Sequence, residues 1–116
     1  MSKMNLTASV RKANPAASII DIKGEINGLS ETVLMEAYNQ ASLNGVRSII
    51  LNFSDLEYMN SSGIGLLVTL LIRVRRQKQR LLAFGLSEHY KEIFDMTGLN
   101  DAIGLYNGEM QAIAAV

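Results

Sequence analysis

Apolar and polar residues alternate near the start of the chain and give way to longer apolar runs further on. From Leu6 to Arg11 every second residue is apolar, which is typical of a half-buried β-strand. The Asn14-Pro15 turn separates this segment from a second predicted strand at 18–23, and so short a connection favours an antiparallel hairpin. The runs at 48–53 and 81–84 are apolar almost throughout, which predicts strands covered on both faces.

Other segments have apolar residues every three or four positions, as expected for helices with one buried face. The first of these helices is predicted to begin after Ser30, its expected N-cap, and to end at Asn44-Gly45. A third, shorter helix is predicted to begin after Ser87 and to end near Gly98. The predicted buried face consists of Leu34, Ala37, Tyr38 and Ala41 in the first helix, and of Ile64, Leu67, Val68, Leu71 and Val74 in the second.

The order of these elements predicts the fold class. A last strand at 103–106 and a last helix at 109–115 complete the order β-β-α-β-α-β-α-β-α. Such alternation implies an α/β fold with a mostly parallel sheet and helices packed on it. We therefore predict one domain over residues 1–116, with four or five strands, an N-terminal antiparallel hairpin strand and about four helices.

Composition excludes several classes of protein. The chain has 11 basic and 11 acidic side chains, so its net charge predicts neither nucleic acid nor membrane as a partner. It has no cysteine, which excludes disulfides and thiolate metal sites and fits a cytoplasmic protein. Its N-terminus lacks the apolar core of a signal peptide, and the longest uncharged apolar stretch, 59–72, is shorter than the ~20 residues that span a bilayer. We expect no membrane insertion and no cofactor.

The segment 59–65 carries the most informative chemistry. It places two adjacent hydroxyls, Ser61 and Ser62, between a predicted strand and the start of a predicted helix. A helix N-terminus tolerates negative charge because its first amides are unpaired and its dipole is favourable. Gly63 and Gly65 would let a partner approach the backbone closely. The hydroxyls could form a recognition surface or simply cap the helix, and the pattern alone does not decide between these roles.

Enzymatic chemistry has little support in the sequence. His89 is the only histidine, and no glycine precedes Ser61 as a nucleophile elbow requires. Gly63 and Gly65 do not belong to a phosphate-binding loop motif, so close packing or a backbone approach by a partner explains them better. With one histidine and no clustered carboxylates, we also expect no metal site. The protein is predicted not to be an enzyme.

Two features of the second helix have more than one interpretation. Five cations lie between residues 73 and 80, either as a solvated helix end or as a surface for an acidic partner or an anionic lipid. They lack the interleaved aromatic residues of a nucleic-acid site. Leu66 and Leu70 lie off the predicted core face, either as part of a wide buried stripe or as an apolar patch beside Ser61 and Ser62.

Three segments together resemble a known family. The run from Ile49 to Gly65 resembles the signature of the STAS domain, found in bacterial anti-sigma factor antagonists and at the tail of sulfate transporters. The segment from Ile22 to Asn27 is similar to the earlier glycine-containing turn of that family. The segment from Phe94 to Leu99 is similar to its late helix end. The three occur in the family's order and cover nearly the whole chain.

The resemblance implies a regulator that works by partner switching. Its partner would be an anti-sigma factor that is also a serine kinase, and a serine phosphatase would reverse the modification. The phosphoacceptor of the family corresponds to Ser61, with Ser62 as the second choice. The resemblance also implies a partner-binding surface consisting of Asn27, Asn60, Ser61, Ser62, Gly63, Gly65 and Leu66. A homodimer is compatible with the sequence.

The chain departs from the family pattern at three positions. Asn27 and Asn60 stand where the family usually has Asp, and Arg80 stands where it often has Gly. If the carboxylate before the acceptor helps a kinase to orient the hydroxyl, Asn60 should slow phosphorylation. The missing carboxylates also favour an alternative, in which the domain is a STAS adaptor subunit of a lipid-type ABC transport complex in a membrane.

Overall fold

The computed structural model describes residues 5–116, and its elements follow the predicted order. Residues 1–4 of the predicted domain lie outside this range. The strands are β1 (Thr7–Asn14), β2 (Ala17–Ile26), β3 (Ser48–Met59), β4 (Arg80–Phe84) and β5 (Gly104–Tyr106). The α-helices are α1 (Glu31–Ala41), α2 (Ser61–Arg76), α3 (Glu88–Thr97) and α4 (Glu109–Ala114). Short 3-10 turns at Leu43–Gly45 and Leu99–Asp101 lie after α1 and α3.

The strands form one sheet in the order β1-β2-β3-β4-β5. β1 pairs antiparallel with β2, and the remaining neighbours are parallel, which confirms the predicted α/β class and the N-terminal hairpin. β3 continues six residues beyond the predicted end at Phe53, with Ile26 of β2 opposite Met59. Its pairing with β4 ends at Asn52, so the second half of β3 has a strand on one side only and carries exposed polar residues. Because the second half of β3 has no run of apolar residues, the sequence did not predict that the strand extends to Met59.

The two faces of the sheet are covered unequally. Helices α1, α2 and α3 pack on one face, over a large core that includes Ile20, Ile22, Ile49, Leu51 and Phe53. The opposite face carries a smaller cluster, Ile19, Ile50, Leu82 and Phe84, which packs against Ala112 of α4. Successive residues of a strand point to opposite faces, so the apolar runs of β2 and β3 contribute to both clusters.

The buried face of α2 differs from the prediction at Val68, and Ile64, which was also predicted to be buried, is half-buried against the core. Gly63, Leu67, Leu70, Leu71 and Val74 are its buried residues. Val68 was predicted to lie in the core, but its side chain is 39% exposed, so this prediction is wrong. Leu70 is fully buried and Leu66 is half-buried against the core, so the wide buried stripe is the correct interpretation of these two leucines.

An ionic cluster joins α4 to the sheet. The guanidinium of Arg11 on β1 donates to both carboxylate oxygens of Asp21 on β2 and to Glu109 of α4, with a distance of 2.8 Å between Arg11 Nη2 and Glu109 Oε1. Asn52 of β3 donates to Asp21 Oδ1 at 2.7 Å. The hydrogen bonds from Arg11 hold the pKa values of both carboxyl groups below their ordinary range, against the opposing effect of desolvation.

We expect Arg11→Gln to lower stability at neutral pH but not in acid. Depressed carboxyl pKa values contribute stability above the unfolded-state values of 3.8 and 4.5, and this contribution is lost as the pH falls through the folded-state values. Because the cluster is partly exposed, the cost at pH 7 should be about 1 kcal/mol. Urea denaturation of both proteins between pH 7 and pH 3 measures this difference. A gap that is constant across the range would contradict an ionic origin.

Candidate functional site

Asn60 caps the N-terminus of α2. Its backbone is extended, and its Oδ1 accepts a hydrogen bond from the amide of Gly63 at 2.8 Å. Its own amide donates to the carbonyl of Ile26 at 3.3 Å, which ties the start of α2 to the end of β2. The first turn of the helix is therefore satisfied by an asparagine rather than by a serine.

Ser61 and Ser62 are consequently not needed as caps. Both residues are exposed in the first turn of α2, and within residues 5–116 neither hydroxyl makes a hydrogen bond. The alternative in which a serine caps the helix is thus wrong. The hydroxyls are accessible to another molecule, and they lie at the helix end that stabilises added negative charge.

The two glycines of the turn have different roles. Gly63 is buried, and a Cβ atom added there would overlap the carbonyl oxygen of Ile26 and lie 2.9 Å from Cγ of Met59. Gly65 is exposed, and a Cβ atom added there would meet nothing within 4 Å. Gly63 therefore permits α2 to begin close against β2, as the packing interpretation predicted, whereas Gly65 leaves the helix surface open.

Asn27 organises the loop that flanks the serines. Its Nδ2 donates to Glu25 Oε2 at 2.8 Å, and its Oδ1 accepts from the amide of Leu29 at 2.8 Å. Ser30 is the N-cap residue of α1, as predicted, but its Oγ atom accepts from the amide of Asn27 at 2.9 Å and not from an α1 amide. An aspartate at position 27 could not donate to Glu25, which gives the departure at this position a local structural reason.

The loop passes close to the start of α2. A Cβ atom added at Gly28 would lie 3.6 Å from Cβ and 3.8 Å from Oγ of Ser62. The structure thus brings together the predicted residues Asn27, Asn60, Ser61 and Ser62 at one end of the sheet. Of the other predicted contact residues, Gly65 continues the same helix surface, while Gly63 is buried and Leu66 is half-buried.

Tyr90 is a supporting residue that sequence reasoning missed. The amide of Met59 donates to its hydroxyl at 2.8 Å, so α3 fixes the end of β3 immediately before the Asn60 cap. Tyr90 is buried. Only one signal in the sequence could have indicated this contact. Tyr90 lies on the apolar face of a predicted helix, and the hydroxyl of a buried tyrosine needs a hydrogen-bond partner. Ser87 caps α3 through a hydrogen bond from the amide of Tyr90 to its Oγ at 3.4 Å, as predicted.

The exposed apolar residues of α2 are not Leu66 and Leu70, which one of the two open interpretations placed in an apolar patch. Ser61, Gly65, Val68 and Ile72 succeed one another at intervals of three or four residues, so they share one face of the helix. Val68 and Ile72 are 39% and 48% exposed, respectively. An apolar surface therefore does extend from Ser61, but along Val68 and Ile72 instead of Leu66 and Leu70.

His89 and the possible metal ligands are the remaining candidate groups within residues 5–116. His89 is exposed, and its ring packs edge-on against Tyr90 with 4.9 Å between the ring centroids. No group of three or more possible metal ligands occurs within residues 5–116. None of the helices in that range is both long enough and apolar enough to cross a bilayer.

The cations near the end of α2 are partly engaged within the protein. Arg73 lies over the ring of Tyr38, 5.6 Å from its centroid, and Nη1 of Arg80 donates to the carbonyl of Ala115 at 2.9 Å. Arg73, Arg75 and Arg76 lie in the last turn of α2, which starts at Ser61, so these cations are at the end of the helix remote from the serines. They complement the dipole at that end, as in the solvated-end interpretation.

Fold and site together define a small α/β domain with accessible hydroxyls at a helix start beside the ends of parallel strands. The STAS domain family model matches residues 8–112, and the chain belongs to this family. The anti-sigma-B factor antagonist of Listeria monocytogenes is 28% identical over 109 residues, which are 92% of this chain and 96% of that protein.

Solved structures agree with the family at the level of the fold. A crystal structure of an anti-sigma factor antagonist from Mycobacterium paratuberculosis superposes with a TM-score of 0.80 at 19% identity, covering 97% of this chain and 94% of that chain. The Bacillus cell fate determinant SpoIIAA in its phosphorylated form superposes with a TM-score of 0.71 at 23% identity, covering 94% of this chain and 98% of that chain. The predicted family and its fold are confirmed.

The Asn60 cap leads to a prediction for stability. Replacing Asn60 with Ala removes the acceptor for the Gly63 amide and should lower the free energy of unfolding by about 1 kcal/mol. Asn60→Asp restores an acceptor, adds a charge that the helix dipole favours and should be at least as stable as the wild type. Urea denaturation at pH 7 compares the three proteins. Equal stability of Asn60→Ala and the wild type would show that the cap is dispensable.

Proposed function

We propose that the protein is a non-enzymatic anti-sigma factor antagonist of the cytoplasm, which binds an anti-sigma factor in a partner-switching pathway. The observation that carries this proposal is the pair of exposed hydroxyls, free of intramolecular hydrogen bonds within residues 5–116, at a helix start capped by Asn60. The relatives named anti-sigma-B factor antagonist support the same role, and they match the chain over most of its length.

The partner that we propose is an anti-sigma factor with serine kinase activity. It would bind the surface formed by Asn27, Asn60, Ser61, Ser62 and Gly65, transfer a phosphoryl group to a serine hydroxyl and then dissociate. Ser61 is the proposed acceptor and Ser62 the second choice. A serine phosphatase would restore the binding-competent form.

The electrostatics of the site support such a switch. A phosphoserine adds about −1.5 to −2 charges at neutral pH, which the amides and dipole of the α2 N-terminus accommodate without refolding. The same charge buried against an apolar partner surface, such as one that covers Val68 and Ile72, would be desolvated at a cost of several kcal/mol. Asn60 caps the helix without a carboxylate, so no like charge at the cap opposes the phosphoryl group.

Phosphorylation by a candidate anti-sigma factor kinase tests the proposal directly. The protein is incubated with the kinase and ATP, and the modified residue is located by mass spectrometry. We expect one phosphoryl group on Ser61, lost in Ser61→Ala and retained in the matched variant Ser62→Ala. Modification of Ser62 alone would make Ser62 the acceptor in place of Ser61. Binding without any modification would mean that the protein is an antagonist that phosphorylation does not switch. Neither binding nor modification by any candidate would contradict the proposed function.

A further inference from the structure

Leu29 is the most exposed of the large apolar side chains within residues 5–116. It is 92% exposed, more than Met96, Met110 or Leu43. It lies in the short loop between β2 and α1, where turn-forming polar residues would be ordinary. Apolar side chains stabilise a fold when they are buried, so a leucine as exposed as Leu29 contributes little to the stability of the folded state.

The exposure of Leu29 is imposed by its loop. The amide of Leu29 donates to Oδ1 of Asn27, and the amide of Asn27 donates to Oγ of Ser30. A third hydrogen bond runs from the amide of Ser30 to the carbonyl of Asn27 at 3.0 Å. These bonds close the loop on itself, so the backbone that carries the Leu29 side chain is held in a defined conformation before any partner arrives. Preorganisation of this kind lowers the entropic cost of binding.

The loop also borders the turn that carries Ser61 and Ser62. A Cβ atom added at Gly28 would lie within van der Waals distance of Ser62, so Leu29 follows directly after a residue that borders the serines. We propose that Leu29 is the apolar anchor by which the anti-sigma factor binds this chain, inserting into an apolar pocket of that partner beside Ser61. This inference rests on the proposed function and adds to it the residue that supplies binding energy, while Ser61 supplies the switch.

Asn27 acquires a specific part in this proposal. It is a positioning residue, because it touches Leu29 only through the backbone amide and fixes the loop that presents the side chain. Its side-chain Nδ2 also donates to Glu25, which holds the side-chain amide of Asn27 in the orientation that the hydrogen bond with Leu29 requires. Anchors of protein interfaces are few, and most of the surrounding contacts contribute little to affinity. Leu29 should therefore stand out in a scan of the exposed residues at this end of the sheet.

The test measures the affinity of the anti-sigma factor for the full chain and its variants by isothermal titration calorimetry. Leu29→Ala should weaken binding by about tenfold or more, the effect of losing an interface anchor. The matched control is Leu43→Ala, another exposed leucine, which follows α1 and precedes β3 at the opposite end of the parallel strands. It should bind as the wild type does. Asn27→Ala should weaken binding by a smaller factor, and thermal melts should show that both leucine variants remain as stable as the wild type.

The outcomes separate this inference from the function on which it rests. If wild type and Leu29→Ala bind with equal affinity while Ser61→Asp binds much more weakly, Leu29 is not an anchor and the antagonist function stands. Equal losses in Leu29→Ala and Leu43→Ala would also overturn the inference. If the wild type binds none of the candidate anti-sigma factors, both proposals fail. A selective loss in Leu29→Ala supports the anchor.

Discussion

Gly63→Ala should lower the free energy of unfolding by about 3 kcal/mol, the upper part of the usual range for overpacking a core. The added methyl group would overlap the carbonyl oxygen of Ile26 and come within 2.9 Å of Met59 Cγ. The carbonyl belongs to the backbone of β2 and accepts from the Asn60 amide, so it cannot move without disturbing the start of α2. The clash therefore has no flexible side chain that could relieve it fully.

Gly65→Ala provides the matched control for this prediction. It makes the same chemical change two residues further along the same helix, at a position where an added Cβ meets nothing within 4 Å. Because alanine is a better helix former than glycine, this variant should be about 0.5–1 kcal/mol more stable than the wild type. Urea denaturation followed by circular dichroism measures both changes. Equal effects of the two substitutions would contradict the proposed close approach of α2 to β2.

The location of the site could be predicted from the sequence, because it depends on local signals. A strand-to-helix transition is indicated by an apolar run that is followed by two hydroxyls and Gly63. In the structure β3 ends at Met59 and α2 begins at Ser61. Which side chain caps the helix was not predictable in the same way. Asn60 and Ser61 are both good capping residues, and the choice depends on where β3 stops. That position is set by pairing with β2 up to Ile26, a contact distant in sequence.

The orientation of α2 depends on tertiary packing. Val68 and Leu70 flank the stripe of Leu67, Leu71 and Val74, and periodicity alone allows either edge to meet the sheet. The structure buries Leu70 and exposes Val68, which moves the apolar patch towards Ile72. The exposure of Leu29 could not be predicted from the sequence either. The sequence does not show that the side chains of Asn27 and Ser30 form hydrogen bonds within the loop and not with the first turn of α1.

Ser61→Asp should weaken binding of the anti-sigma factor by roughly a hundredfold, or about 3 kcal/mol, the order of the cost of an unpaired charge in an interface. The substitution places a carboxylate in the first turn of α2, where the dipole and the free amides stabilise it. The folded protein should thus be as stable as the wild type or slightly more so. Any loss of affinity then arises at the interface and not from unfolding.

Two control variants show whether charge at this position is the cause. Ser61→Ala removes the hydroxyl without adding charge and should bind within a few-fold of the wild type, since Ser61 makes no hydrogen bond within residues 5–116 that holds the site. Ser62→Asp adds the same charge one residue further along, against Gly28, and separates a requirement for position from a general effect of acidity. Calorimetric titration of each variant with the anti-sigma factor gives the affinities. If Ser61→Asp and Ser61→Ala bind equally well, a negative charge at Ser61 does not control the interaction.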